Sequence, residues 1–374
     1  MKNFIKYTIL FILNIIFIFA CSQKDNVETT LTTIEKNDFP QTIKLENPDK
    51  ILDDDEFHHF KIFVIDTVLL TTSQVGDYHY NAFLINTLDF LGSFGVRGEA
   101  PEEWTMPITM SGQYETSKDG LNLWFYDYLK GHFSKINLTK TLNSNSLNPI
   151  IDETVSIDTK KFPFTNLFYV SEEKIIGDSW ISESDRRRIK SFNPKTEEVK
   201  KSELFPAMKN TSKLPAEVLN SFYTSAFSKH PTKPLFVQAM FVFNRIDIFN
   251  ENLQVVKTIV DGDNGLDDYY DGAEVDLKSD FLLGKIQGYD GVTTTSDYIF
   301  ALEMNVKTQD QIKPKDSYVR VYDWSGKPVC LLQFEHPIVG LAVDERTGIL
   351  YITDYENESV LRYNIKNLMD EWKN

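Results

Sequence analysis

Six times along this chain an apolar strand ends in Asn or Asp, turns on polar residues and is usually followed by another apolar strand. The strands end at Asn86, Asn137, Asn193, Asn250, Asp323 and Asn364, spaced 51, 56, 57, 73 and 41 residues apart. A further apolar strand precedes each of them: Val68–Thr72, Leu121–Tyr126, Lys174–Trp180, Pro234–Met240, Tyr298–Met304 and Ile349–Thr353. Recurrence of one short supersecondary unit at such spacing marks a repeat architecture, in which each unit hides its apolar faces against its neighbours. Units of about 40–50 residues built from short strands are the size of propeller blades. The Asn or Asp has a local cause, because its side chain accepts from the backbone two residues on and tolerates the tight turn.

The clearest unit is Ser317–Tyr363. Val319, Val321 and Tyr322, Leu331 and Leu332, Leu341 and Val343, Leu350 and Ile352, then Val360 and Leu361 fall in short alternating runs. Turns at Trp324-Ser325-Gly326, Asp344–Gly348 and Tyr355–Glu358 separate them, the pattern of an antiparallel meander. After Asn364 only a short tail remains, so the last blade lacks its outer strand. Thr42-Ile43-Lys44-Leu45 has the alternation to supply it. The expectation is an all-β chain: one six-bladed β-propeller over residues 40–374, its ring closed by an N-terminal strand that hides a sheet edge.

The first twenty residues read differently. Lys2 and Lys6 precede an apolar run from Tyr7 to Ala20, which is the layout of a secretory signal and too short for a confident membrane span. Ile18-Phe19-Ala20-Cys21 resembles the lipobox of bacterial lipoproteins. That resemblance implies cleavage before Cys21 and a diacylglycerol on its sulfur, with acyl chains that hold the protein on the membrane. Ser22-Gln23-Lys24-Asp25-Asn26 is similar in part to signals that send lipoproteins to the outer face of the outer membrane, and residues 21–39 read as a flexible tether. The expected location is the outer membrane, on either leaflet. The only other cysteine, Cys330, lies in the apolar run Val329–Leu332 and reads as a small buried hydrophobe.

Charge narrows the partners. The chain carries a formal −16, and without Lys2 and Lys6 the body holds 37 basic against 55 acidic residues, a net −18. Such a body is repelled by phosphate backbones and by anionic lipid surfaces, so nucleic acid is excluded and the lipid does the anchoring.

Between the first two repeats stands Gly95-Val96-Arg97-Gly98-Glu99-Ala100-Pro101-Glu102-Glu103-Trp104. It resembles the Gly-Arg-x-Gly-x-Gly-Pro-x-Glu-aromatic signature that follows the first blade in TolB-like six-bladed propeller lipoproteins, with Ala100 in place of a glycine and Arg97 one position late. The final meander is similar to the same family, and the fold implied is a six-bladed ring of TolB-like or NHL-like form. The resemblance implies the fold and supplies no catalytic residues. Gly95 and Gly98 read as backbone devices, with Pro101 stiffening the exit.

No residue is assigned to catalysis, cofactor or metal. The acidic loop Asp261–Asp268 fails as an EF-hand. One register places Leu266 where glycine is required, and the other, with Glu274 at position twelve, places Asp268 there. It reads as a solvated insertion, and Asp53–Glu56 as a solvated turn before the first blade. The histidines His58, His59, His79, His132, His230 and His336 share no ligand spacing, and adjacent His58 and His59 point to opposite faces of a strand. Arg186-Arg187-Arg188 reads as a solvated loop tip with room for an anion. The leading functional expectation is a lipid-anchored envelope module that binds a protein, peptide or glycan. The rival is a calcium-dependent hydrolase or lactonase of the channel, for which Asp127 and Asp344 are the kind of strand-end carboxylates required.

Overall fold

The computed structural model describes residues 30–53, 57–144, 148–202, 215–216, 220, 224–242, 244–261, 288–303 and 317–373. Its strands form six small sheets, the blades of a six-bladed β-propeller. Blade 1 is His59–Ile65, Val68–Ser73, Tyr78–Leu84 and Phe90–Val96. Blade 2 is Pro107–Ile108, Gly120–Asp127, His132–Asn137 and Ile151–Ser156, with Tyr114–Ser117 also paired to its second strand. Blade 3 is Phe164–Ser171, Lys174–Ser179, Ile189–Phe192 and Val199–Lys201. Blade 4 is Ser225–Lys229, Leu235–Met240, Arg245–Asn250 and Val255–Asp261. Blade 5 is Tyr289–Thr294, Tyr298–Glu303, Ser317–Asp323 and Pro328–Phe334. Blade 6 is Ile338–Asp344, Ile349–Asp354 and Val360–Asn364, completed by Asp49–Leu52.

The apolar strands read from the sequence are the second strands of the six blades, and the Asn/Asp residues end or closely follow the third. Five of those side chains cap the following turn. Asn137 Oδ1 accepts from the Lys140 amide, Asn193 from Lys195 and Thr196, Asn250 from Asn252 and Gln254, Asp323 from Ser325 and Lys327, and Asn364 from Lys366. Each second strand is buried along nearly its whole length because both of its faces are covered. In blade 5, Ile299 and Ala301 pack towards blade 4, while Tyr298, Phe300 and Leu302 pack towards blade 6. The core is thus six clusters, one in each seam between neighbouring blades.

The N-terminal segment departs from two expectations. The ring is closed by an N-terminal strand, but that strand is Asp49–Leu52, paired antiparallel to Val360–Asn364. Thr42–Leu45 lies instead parallel to Pro328–Phe334, outside blade 5, with Ile43 and Leu45 against its core. The closing strand has to lead straight into His59, and only Asp49–Leu52 is next to it; its polar first half, Asp49-Lys50, conceals it from a pattern search. The tether expected over 21–39 also contains structure. Thr30–Ile34 pairs parallel to Val255–Asp261 on the rim of blade 4, and Phe39 is buried edge-on to Tyr322 at 5.5 Å. The segment therefore runs along the rims of blades 4, 5 and 6 in turn before entering blade 1. Cys21 and the rest of residues 1–29 lie outside the described residues.

Candidate functional site

Strand polarity gives the ring two distinct faces. The first strand of every blade begins where the second ends, in the pairs His59 with Ser73, Pro107 with Asp127, Phe164 with Ser179, Ser225 with Met240, Tyr289 with Glu303 and Ile338 with Asp354. We call this the upper face; the Asx-capped turns lie on the lower one. The first halves of the inner strands enclose a funnel of about 460 Å³ that opens on the upper face. All six blades contribute, through Phe60–Phe63, Ile108–Ser111, Asn166, Ser225–Phe227, Asp290–Val292 and Val339–Leu341, so the wall is mainly apolar.

Its charged groups are a matched pair. Lys61 Nζ of blade 1 donates to Asp290 Oδ2 of blade 5 at 3.0 Å and to the Val339 carbonyl of blade 6 at 2.7 Å. On the opposite wall a small polar pocket of about 90 Å³ shares Asn166 and Ser225 with the funnel and is also lined by Trp180, Arg188 and Thr224. Asp178, fully buried, organises it. Its Oδ1 accepts from Thr165 Oγ1 at 2.6 Å and Asn166 Nδ2 at 2.9 Å, and its Oδ2 from Arg188 Nη2 at 2.6 Å. Arg188 is therefore not part of a solvated loop tip. Only Arg186, paired with Glu183, and Arg187, paired with Asp185, stay at that turn.

Exposed apolar side chains concentrate on the upper face. Of nine large ones among the described residues, Val75, Met106, Leu129, Trp180 and Tyr355 stand on its connections, with Met106 and Trp180 each about half exposed. Single exposed hydrophobes are ordinary, whereas several gathered on one face mark a contact surface.

The other sequence candidates are dispersed. Asp127 begins an upper-face turn and accepts from the Thr105 and Met106 amides, whereas Asp344 ends its strand on the lower face and pairs with Arg346. They cannot converge on one ion. His58 pairs with Glu358 while His59 Nδ1 meets Thr71 Oγ1 at 2.9 Å, so the two rings do point apart. Among the described residues no three His, Cys, Asp or Glu side chains form a group that could hold a metal. Burial pushes the Cys330 thiol up to about 12. Of the acidic loop, only Asp261 is described; Asp54, Asp55 and Glu56 also lie outside. Ser225, Asn166 and Gln238 carry no sequence signal, because Ser225 and Gln238 meet across two paired strands of blade 4 and Asn166 reaches them from neighbouring blade 3.

The Gly95–Trp104 loop follows blade 1, where the resemblance placed it, and is structural. Gly95 has φ +76°, and a Cβ there would sit 2.8 Å from the Trp104 ring; a Cβ at Gly98 would overlap the Glu103 carboxylate. Arg97 Nη1 donates to His79 Nδ1 at 3.0 Å, and the other ring nitrogen donates to the Trp104 carbonyl. His230 Nδ1 likewise accepts from the Thr232 and Lys233 amides. Both rings are neutral in this arrangement, and burial lowers both pKa values. Folding energy from these groups is complete above the unfolded value of about 6.5 and is lost as pH falls below it, through the lowered native value. The melting temperature is therefore expected to fall between pH 7.5 and 5.5. The double variant His79→Asn/His230→Asn, whose amide oxygens can accept the same donors, should flatten that dependence; an unchanged slope would contradict the assignment.

Six four-stranded blades around an axial funnel define the class: a six-bladed propeller. The chain belongs to the TolB-like 6-blade propeller-like family, whose model matches residues 54–346. Two Bacteroides crystal structures share the fold. A member of the DUF4221 family from Bacteroides vulgatus is 11% identical over 85% of this chain and 96% of its own, with a TM-score of 0.52. A Bacteroides fragilis structure described as an exported protein is 11% identical over 89% and 98%, with a TM-score of 0.50. No curated protein matches the chain significantly.

Proposed function

We propose that this is a lipid-anchored protein of the outer membrane whose upper propeller face holds a protein partner. The observation that carries the reading is the set of five exposed apolar side chains on the face where an apolar funnel opens. Interfaces of this kind place apolar and aromatic anchors inside a polar rim. The fold suits the role, since propellers are common interaction modules.

Orientation supports it. The signal-like segment and Cys21 motivate the anchor, and no helix among the described residues is long and apolar enough to cross a membrane. Thr30–Ile34 runs parallel to Val255–Asp261, which starts at the lower face, so the chain reaches the ring from below. Eight residues separate Cys21 from Thr30, and the nine steps between them span at most about 30 Å. A lipid on Cys21 would therefore hold the lower face towards the bilayer and leave the funnel mouth open to partners.

The address is tested by metabolic labelling with an alkyne fatty acid. Label should appear on the wild type and be lost in Cys21→Ser, and a labelled Cys21→Ser protein would overturn the anchor. The face is tested by charge. Trp180→Asp with Met106→Asp should abolish co-purification with the cross-linked partner, whereas Thr196→Asp on the lower face should leave it intact; the reverse pattern would refute the assignment.

A further inference from the structure

We propose that the axial funnel is also a small-molecule site, for an uncharged amphiphile whose carbonyl oxygen is received by the Ser225 hydroxyl and whose apolar body fills the funnel. A concave apolar cavity with a few convergent polar groups is the ordinary form of a ligand site, and at about 460 Å³ this one lies within the usual size range.

Ser225 decides the polar end. Its Oγ accepts from Gln238 Nε2 at 2.7 Å and from Arg188 Nη2 at 3.4 Å, which occupies both lone pairs. Among the described residues nothing accepts its own proton, and Ser225 lines both the funnel and the polar pocket beside it. With the Gln238 amide in this orientation the hydroxyl is a donor awaiting an acceptor; turned end for end, the amide takes that proton and leaves its own NH2 as the unmatched donor. Gln238 belongs to the same incompletely paired group: it is fully buried next to Ser225, and its Oε1 has no hydrogen-bond partner. Buried polar atoms normally have one.

Charge decides against an ion. Arg188 is engaged by Asp178, Lys61 is engaged by Asp290, and the body as a whole is strongly acidic. A carboxylate would find no unmatched cation here and would lose its hydration in an apolar wall, whereas an amide or ester carbonyl loses far less. A glycan would bury many hydroxyls against Phe60, Phe63, Met110 and Phe227, which offer them no partners.

The test uses the full chain in lipid nanodiscs and two soluble probes of equal length, N-methylhexanamide and hexanoate, at pH 7.5, followed by saturation-transfer NMR. The amide should bind at least about five-fold more tightly than the acid. Ser225→Ala, or the near-isosteric Ser225→Cys, should weaken the amide about five-fold, the net worth of one hydrogen bond, without changing hexanoate. Ala226→Phe, which fills the funnel, should abolish binding of the amide. Tighter or equal binding of hexanoate, indifference to both Ser225 variants, or amide binding that survives Ala226→Phe would each overturn the proposal. The partner reading stands apart from this result, because it depends on Trp180 and Met106 at the surface.

Discussion

Arg320→Met is expected to lower the unfolding free energy by about 3–5 kcal/mol, the usual cost of stranding one member of a buried ion pair. Arg320 is fully buried and Glu303 is 1% exposed. The guanidinium meets the carboxylate through two bonds, Nε to Oε2 at 2.9 Å and Nη2 to Oε1 at 3.1 Å. Tyr289 and Tyr322 surround the pair, and Phe39 of the N-terminal segment lies 5.8 Å from the guanidinium carbon. With the arginine gone, Glu303 keeps the Asn244 amide at 3.2 Å and distant Lys36, too little to solvate a buried carboxylate. The double variant Glu303→Leu/Arg320→Met should recover most of the loss, because an apolar replacement removes the desolvation along with the attraction. Urea denaturation separates the cases. A single variant within 1 kcal/mol of wild type would mean that the pair is not buried as described.

Gly340→Val should cost about 2–4 kcal/mol, through overpacking and loss of one hydrogen bond. Gly340 lies on the inner strand of blade 6, where blade 1 closes the ring. A Cβ there would stand 2.8 Å from the Phe60 carbonyl oxygen and 3.2 Å from Lys61 Cα, and it would overlap Thr353 Oγ1. Two of these three obstacles are backbone and cannot swing aside. Thr353 Oγ1 donates to the Phe60 carbonyl at 2.7 Å, so displacing it breaks a bond between the last blade and the first. Gly76→Ala is the control for glycine chemistry alone: at φ +80° it is strained, but nothing lies within 4 Å. Urea midpoints should place Gly340→Val well below Gly76→Ala. Equal midpoints would show that the seam can open at no cost.

The second and third strands were legible in the sequence because burial on both faces keeps them apolar, and because Asn or Asp is needed where the third strand turns. The closing strand was not, since Asp49 and Lys50 point to solvent at the rim and break the apolar run. Thr42–Leu45 has the cleaner alternation for a reason unrelated to closure: one of its sides packs on blade 5 and the other faces water. Arg188 sits between two surface arginines and looks like them in the sequence, but strand Ile189–Phe192 turns it towards Asp178, ten residues upstream. The funnel is illegible in principle. Its wall takes a few residues from each of six inner strands, so no local spacing records that Ser225 and Asn166 share a pocket while Lys61 and Asp290 meet across a blade.

The face assignment is tested most directly by placing a photo-crosslinking amino acid at Trp180 and at Met106, and at Thr196 as the lower-face control, in the full chain within intact envelopes. The account predicts that irradiation gives the same discrete protein adduct from both upper positions and none from Thr196. Adducts from Thr196 alone, or lipid adducts from Trp180 and Met106, would contradict it, because the upper face would then be turned to the membrane or left unused.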